Sequence, residues 1–425
     1  MSHVANTDGL YVTGLAHAYP SHSYGPEQFE DIVQRLYPNW STTPGLKKLV
    51  QFNRKTRINS RPIITDFSKW TKEDATPPSI NELSRSFRTV GVDLATSACN
   101  KAMEEACLSA ADITHLVAVT CTDQGNPGYD LLVCQKLKLS PSVQRVLLHG
   151  VGCAGGLSAL RAAADIAASE SQLGRPARVL VIACELCSLF LRTELQAASL
   201  DDALHIAPAL FSDAAAAAVV SNGLAVNDGQ MPIFQLQKWG SMIVPGTLDH
   251  MSYETQSNGM IATMSKDVPK TAIGAIAPML DQLCNTSGRN NCDTTAYLNP
   301  STSDWAIHPG GAAILRGAQQ AFSLTDDHIR ASLDVYGSYG NSSSPTVLIV
   351  LDKLRQMGQG RKNVIATSFG PGMVIEMFLL KRCEPSDEAQ TARPKSRQHN
   401  ATLLALQSRL TRWRHGLRWH TVRTG

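Results

Sequence analysis

The sequence predicts an α/β fold built from two similar halves. Two observations carry this. From Val90 onward, short runs of aliphatic residues of strand length alternate with longer stretches of helical character. The second half then repeats that grammar, although no strong self-match is visible between the halves. With 425 residues the chain can bury one large core or two fused ones.

Residues 1–90 read as mixed, with helical pieces and a basic stretch holding Lys47, Lys48, Arg54, Lys55, Arg57 and Arg61. Val92–Ala106 reads as a helix and His115–Thr120 as a buried strand. Val146–Leu148 is a strand, Leu157–Ala168 a helix and Arg178–Ala183 a strand. The alanine run Ala214–Val220 fits strand or helix, and in either case must pack closely against its neighbours. In the second half, Val268–Cys284 reads as a helix and Trp305–Ile307 as a short strand, with a helix from Ala312. Val347–Leu351 fits helix or strand, whereas Asn363–Thr367 and Val374–Leu380 read as strands. These elements place one half at 1–225, the second at 226–382 and an extension at 383–425.

The extension differs in composition. From Cys383 it holds eight Lys/Arg against three Asp/Glu, a local +5 within a net charge of +3. Its first part is polar with two prolines. Leu403, Leu406, Leu410, Trp413 and Leu417 then fall at helical spacing among arginines, as in a basic amphipathic segment. It reads either as an untethered tail or as a segment that docks on an anionic membrane surface. The net charge carries no nucleic-acid footprint. The ten cysteines lack the regular spacing of a disulfide framework, and no apolar run is long enough to span a bilayer, so a reducing cytoplasm fits best.

Cys153 is the most informative residue. Val146-Leu147-Leu148 enters the turn His149-Gly150-Val151-Gly152, Cys153 sits on it, and Ala154-Gly155-Gly156 opens an alanine-rich helix. Such a turn can expose a thiol, and a helix N-terminus favours its anion. His308 precedes Pro309-Gly310-Gly311 at the end of a strand, and Asn341 lies in Tyr339-Gly340-Asn341-Ser342-Ser343-Ser344. Alone, each is ordinary. Together they supply a nucleophile, a base or donor, and a neutral donor for an oxyanion. A cysteine–histidine ion pair would keep the thiolate available near neutral pH. The same turn also matches GxGxxG, with Glu185 as the candidate ribose acid. That glutamate lies further along than a dinucleotide site requires. Cys184-Glu185-Leu186-Cys187 reads as CxxC, but one pair cannot close a four-ligand zinc site.

These motifs resemble the type III polyketide synthases, the chalcone-synthase-like branch of the thiolase superfamily, over about residues 8–381. Cys153 in GCAGG, His308 in WAIHPGG and Asn341 in YGNSSS match that family's catalytic triad in order and spacing. Ala209-Leu210-Phe211-Ser212-Asp213 resembles its ALFGDG segment, Ser368-Phe369-Gly370-Pro371-Gly372 its GFGPG loop, and Lys266-Asp267-Val268-Pro269 a further element. The resemblance implies a thiolase-like fold with a layered αβαβα core and a homodimer. It also implies acyl-CoA and malonyl-CoA as substrates, with no metal or redox cofactor. Cys153 would carry the acyl group, while His308 and Asn341 would hold the malonyl thioester as it loses CO2. Phe211 would correspond to the gatekeeping phenylalanine, and Phe369 would belong to the substrate site. Lys48 and Lys55 would either hold CoA phosphates or form a solvated basic face.

The departures point to a fungal pattern. Cys121, Cys187 and Phe190 stand where plant chalcone synthases have cavity threonines, and Ala262 stands where they have a second gating phenylalanine. Loss of that ring should open space for a medium- or long-chain fatty acyl starter. Products would then be alkylpyrones, alkylresorcinols or alkylresorcylic acids. The rival is a β-ketoacyl-ACP synthase of the fatty-acid-initiating type. That family typically follows its histidine with Gln-Ala-Asn rather than Pro-Gly-Gly.

Overall fold

The computed structural model describes residues 9–227, 230–285, 299–358 and 360–383. The basic extension lies outside the described residues. Among the described residues there are thirteen strands: β1 (Leu10–Ala18), β2 (His22–Tyr24), β3 (Arg61–Ile63), β4 (His115–Val119), β5 (Gln144–Leu148), β6 (Arg178–Leu186), β7 (Asp213–Asn222), β8 (Phe234–Ile243), β9 (Met251–Gln256), β10 (Gly259–Met264), β11 (Ser303–Ile307), β12 (Asn363–Gly370) and β13 (Val374–Arg382). Nine of them form one sheet in the order β11-β12-β13-β8-β1-β7-β6-β4-β5. β4 runs parallel to both β5 and β6, and β11 runs parallel to β12; the other neighbours are antiparallel.

Alternation along the strands shows the layers. In β4, Val117 and Val119 enter one core and Leu116 and Ala118 another; in β6, Val179 and Val181 part from Leu180 and Ile182 in the same way. In β13, Phe378 and Leu380 join the first core, while Met377 and Leu379 face a third. The shared core is filled by two helices, Gly155–Gln172 and Thr346–Gln356, which contact strands of both halves. Outer helices cover the other faces: Val92–Glu105 on the first half and Val268–Asn285 on the second. This is an αβαβα arrangement in which side chains of period two separate buried layers.

The two ambiguous segments resolve by burial. The alanine run is strand β7, buried along its whole length. Ala214, Ala216 and Ala218 face the central core, and Ala215 and Ala217 the outer one. Helices press on both faces, so small side chains are needed and packing overrides alanine's weak strand propensity. Val347–Leu351 belongs to the helix Thr346–Gln356, buried on every side over those five residues. The expected helical character of residues 1–90 omits a central element: β1 joins the halves by pairing with both β7 and β8. β8 and the hairpin β9–β10 are likewise absent from the sequence reading.

Candidate functional site

Cys153 lies in a single turn of 3-10 helix, Gly152–Ala154, directly before the central helix. The turn depends on two glycines. Gly150 and Gly152 have φ of 75° and 49°, the left-handed region open to glycine. A Cβ on Gly152 would also sit 2.6 Å from the Pro371 ring. Pro371 follows β12, so the glycine lets the two halves meet beside the thiol.

Asn341 is delivered by a different device. Its N–H donates to Leu210 O at 3.0 Å, and its carbonyl accepts from Ser212 N–H at 2.9 Å, a bridge spanning Phe211. The segment carrying Phe211 is thereby locked to the asparagine loop. Asn341 Oδ1 accepts from Ser343 N–H at 2.8 Å and Thr346 Oγ1 at 3.3 Å, which fixes the amide orientation. Its Nδ2 then points at Cys153 Sγ, 4.0 Å away.

His308 follows β11, its N–H donating to Thr367 O at 2.8 Å. The side chain is only 1% exposed, and neither ring nitrogen has a hydrogen-bond partner. The expected cysteine–histidine ion pair is therefore not formed. Burial pushes the Cys153 thiol up to about 11, against smaller opposing contributions from Ser343 and Asn341. Burial also pushes His308 down to about 3. Desolvation without a charged partner in contact leaves both neutral, and the thiol is covered rather than exposed. A neutral imidazole with both nitrogens free offers one N–H and one lone pair.

A cavity opens from Cys153. It is a narrow slot, with a cavity volume of about 60 Å3. Of the expected residues, Cys121, Cys153, Cys187, Phe190, Phe211 and Ala262 line it. Phe190 meets Tyr253 edge-on, their centroids 5.8 Å apart, so these two rings narrow the wall beside Ala262.

Three expected residues stand apart. Phe369 is buried in the core of the second half, paired with Ile375 across the β12–β13 ladder. Its side chain lies in the cluster beneath the outer helix Val268–Asn285 and does not line the cavity. Lys55 is exposed and off the wall, and Lys48 Nζ donates to Asp202 O at 2.6 Å on the surface. Arg61, from the same basic stretch, is fully buried, donating to Ala209 O and Asn53 Oδ1.

Glu185 is buried too. Its carboxyl accepts from Cys121 N–H, Thr122 Oγ1 and Ser344 Oγ and reaches the Cys121 thiol at 3.3 Å. A ribose acid must be open to its ligand, so the dinucleotide reading fails on this residue. In the CxxC pair, Cys184 donates to Gly91 O inside a core and Cys187 faces the cavity. Among the described residues no three His, Cys, Asp or Glu side chains group as a metal site, and no helix is long and apolar enough to cross a membrane.

Ser343 and Glu194 are among the site residues that the sequence reading missed. Ser343 has φ of 58°, which places its Oγ 3.5 Å from Cys153 Sγ and 3.9 Å from Cys121 Sγ. Glu194 lines the cavity and accepts Ala262 N–H at 2.7 Å. Burial raises the Glu194 carboxyl, with His205 and the Ala262 N–H opposing.

Sequence profiles match most of the chain. The profile for "Chalcone and stilbene synthases, N-terminal domain" matches residues 46–223, and that for the C-terminal domain matches residues 235–384. The chain is 45% identical over 392 residues to the type III polyketide synthase pspB of Penicillium soppii, covering 89% of this chain and 98% of that one. It is 36% identical over 378 residues to the acylalkylpyrone synthase csyB of Aspergillus oryzae, covering 87% and 94%. Among solved structures, the fungal type III polyketide synthase ORAS superposes with a TM-score of 0.84 at 39% identity, covering 88% of this chain and all of that one. The chain belongs to the chalcone and stilbene synthase family, as a type III polyketide synthase of fungal type.

Proposed function

We propose that Cys153 takes an acyl group from an acyl-CoA and extends it with malonyl-CoA. The observation that carries this is the meeting of Cys153, the Asn341 amide and a narrow cavity, with a buried imidazole whose nitrogens are both free. In loading, the thiol proton passes to a neutral base, for which His308 has the lone pair. Sγ then attacks the thioester carbonyl, and CoA leaves as a thiolate that takes the proton back. In extension, malonyl-CoA loses CO2. N–H donors from His308 and Asn341 hold the enolate oxygen, and the carbanion attacks the Cys153 thioester carbonyl; its C–S bond breaks, Cys153 leaves as the thiolate, and the extended chain stays on CoA until that thiolate takes it back for the next round. Low exposure keeps water from these donors, which strengthens them.

The starter in this reading is a medium- or long-chain fatty acyl-CoA, and the products are alkylpyrones, alkylresorcinols or alkylresorcylic acids. The slot is mostly apolar, and Ala262 leaves space where a ring would close it. The substrate class is supported by csyB, an acylalkylpyrone synthase, and by a CsyB structure, 35% identical to this chain, that is complexed with CoA-SH. A homodimer is part of the same proposal. β5 is an edge strand with Val146 exposed at 38%, the kind of edge that a second copy covers.

The test is mass spectrometry of products from purified protein given malonyl-CoA and a panel of acyl-CoA starters, beside Cys153→Ala. Products of starter plus acetate units, absent from the variant, are expected. Activity with malonyl-ACP but not malonyl-CoA would instead favour the β-ketoacyl-ACP synthase reading.

A further inference from the structure

Tyr253 stands on β9 directly opposite Ala262 of β10, and both line the cavity. Met251 and Met264, the paired residues two positions away on the same face, line it as well, so this face of the hairpin is the wall. The Tyr253 ring packs edge-on against Phe190, which fixes its direction. The hydroxyl at its tip interacts electrostatically with the Cys187 and Cys121 thiols, and the Cys153 thiol acts on both of these in turn. All three thiols line the same cavity, and Tyr253, Cys121 and Cys187 are half-buried rather than sealed. The phenol therefore faces the slot on the way to the nucleophile. It has no hydrogen-bond partner among the described residues, and its oxygen is not one of the buried polar atoms closed to solvent. Burial raises the phenol well above its usual range, so it keeps its proton and can donate.

An alkyl chain filling the slot would strip this hydroxyl of water and offer it no acceptor, which costs free energy. An extended chain offers one. Each round leaves a ketone, so carbonyl oxygens recur at every second carbon from the thioester. We propose that Tyr253 is a specificity-determining residue whose hydroxyl donates a hydrogen bond to a ketone oxygen of the extended chain. The proposal rests on the acyl-CoA reading above and deepens it: the wall distinguishes a chain that has been extended from a bare starter, and holds it for the next round.

The experiment uses the full chain and Tyr253→Phe, which removes the donor and keeps the ring against Phe190. A residue that only bounds the space would be replaced in full by phenylalanine. In the first arm, acylation of Cys153 is followed by intact-protein mass spectrometry without malonyl-CoA. Decanoyl-CoA is compared with oxodecanoyl-CoAs bearing the ketone at successive odd carbons. In the second, decanoyl-CoA and malonyl-CoA are supplied and the number of extensions is read from the products.

The wild type should prefer one oxo isomer over decanoyl-CoA by roughly tenfold, and the phenylalanine variant should lose that preference at an unchanged melting temperature. Its products should shift to fewer extensions. Either change supports the proposal. The same isomer ranking and the same extension number in both proteins overturn it and leave the synthase reading standing. Failure of the wild type to load any acyl-CoA overturns the synthase reading and this proposal with it.

Discussion

His308 gives the site a signature in stability that can be read without substrate. The perturbation is His308→Gln, which removes the titrating ring and keeps a polar side chain of similar reach. In the folded protein the ring titrates near 3, because burial disfavours its cation. In the unfolded chain a histidine titrates near 6.5. Since the folded value is the lower one, the unfolded chain gains the proton first as pH falls. Stability from this group is therefore intact above about 6.5 and is lost as pH drops toward 3. Between pH 7 and pH 5 the loss is about 2 kcal/mol, from linkage with those two values. The carboxylates titrate alike in both proteins and cancel in the difference. Urea denaturation at pH 7 and pH 5 measures it. The wild type should lose about 2 kcal/mol more than the variant over that interval. Equal losses would refute the claim that the ring is buried, neutral and without a charged partner.

Two further substitutions probe the geometry. Gly152→Ala places a Cβ against Pro371 at a φ of 49°, and should cost about 1–3 kcal/mol while abolishing product formation. Chemical denaturation beside a product assay checks both effects. A variant with wild-type turnover would show that the turn tolerates a side chain. Ala262→Phe returns a ring to the cavity wall and should shift the preferred starter to shorter chains, at a stability cost of about 1–3 kcal/mol. A panel of acyl-CoAs of graded length reads the shift, and an unchanged preference would mean that Ala262 does not bound the acyl chain.

The layered core was legible because its strands are buried on both faces and read as continuous apolar runs, as in His115–Val119 and Arg178–Leu186. The two strands that join the halves were not. β1 carries Gly14 and Thr13 among its apolar residues, and β8 mixes Gln235, Gln237 and Lys238 with its aromatics. Neither has a clean period. Cys153 and Asn341 were legible because each sits in a motif whose punctuation is visible in the chain. Ser343 and Glu194 were not, since their importance is a matter of distance in space. Ser343 lies 190 residues from the thiol it approaches, and the left-handed backbone that turns it inward has no glycine to announce it. The protonation states were also out of reach. A helix N-terminus argues for a thiolate, but only the extent of burial decides whether that pull survives desolvation.

The central helix that follows Cys153 and the one that leads away from Asn341 are packed between strands of both halves. A Cβ on Gly156 would meet Ser344 O at 2.3 Å, so the helix after Cys153 and the Asn341 loop approach backbone to backbone. The hairpin β9–β10 is anchored differently: Glu254, Thr255 and Gln256 lie at the surface, and the two strands pair only with each other. On the proposed mechanism the floor around Cys153 and the cavity wall therefore have unequal freedom to vary. A substitution beneath Cys153 would disturb the chemistry for every substrate at once, whereas one in the hairpin would redraw the space available to the chain and leave the bond-making atoms where they are. New specificities in this scaffold should accumulate along the hairpin, with the floor inherited unchanged.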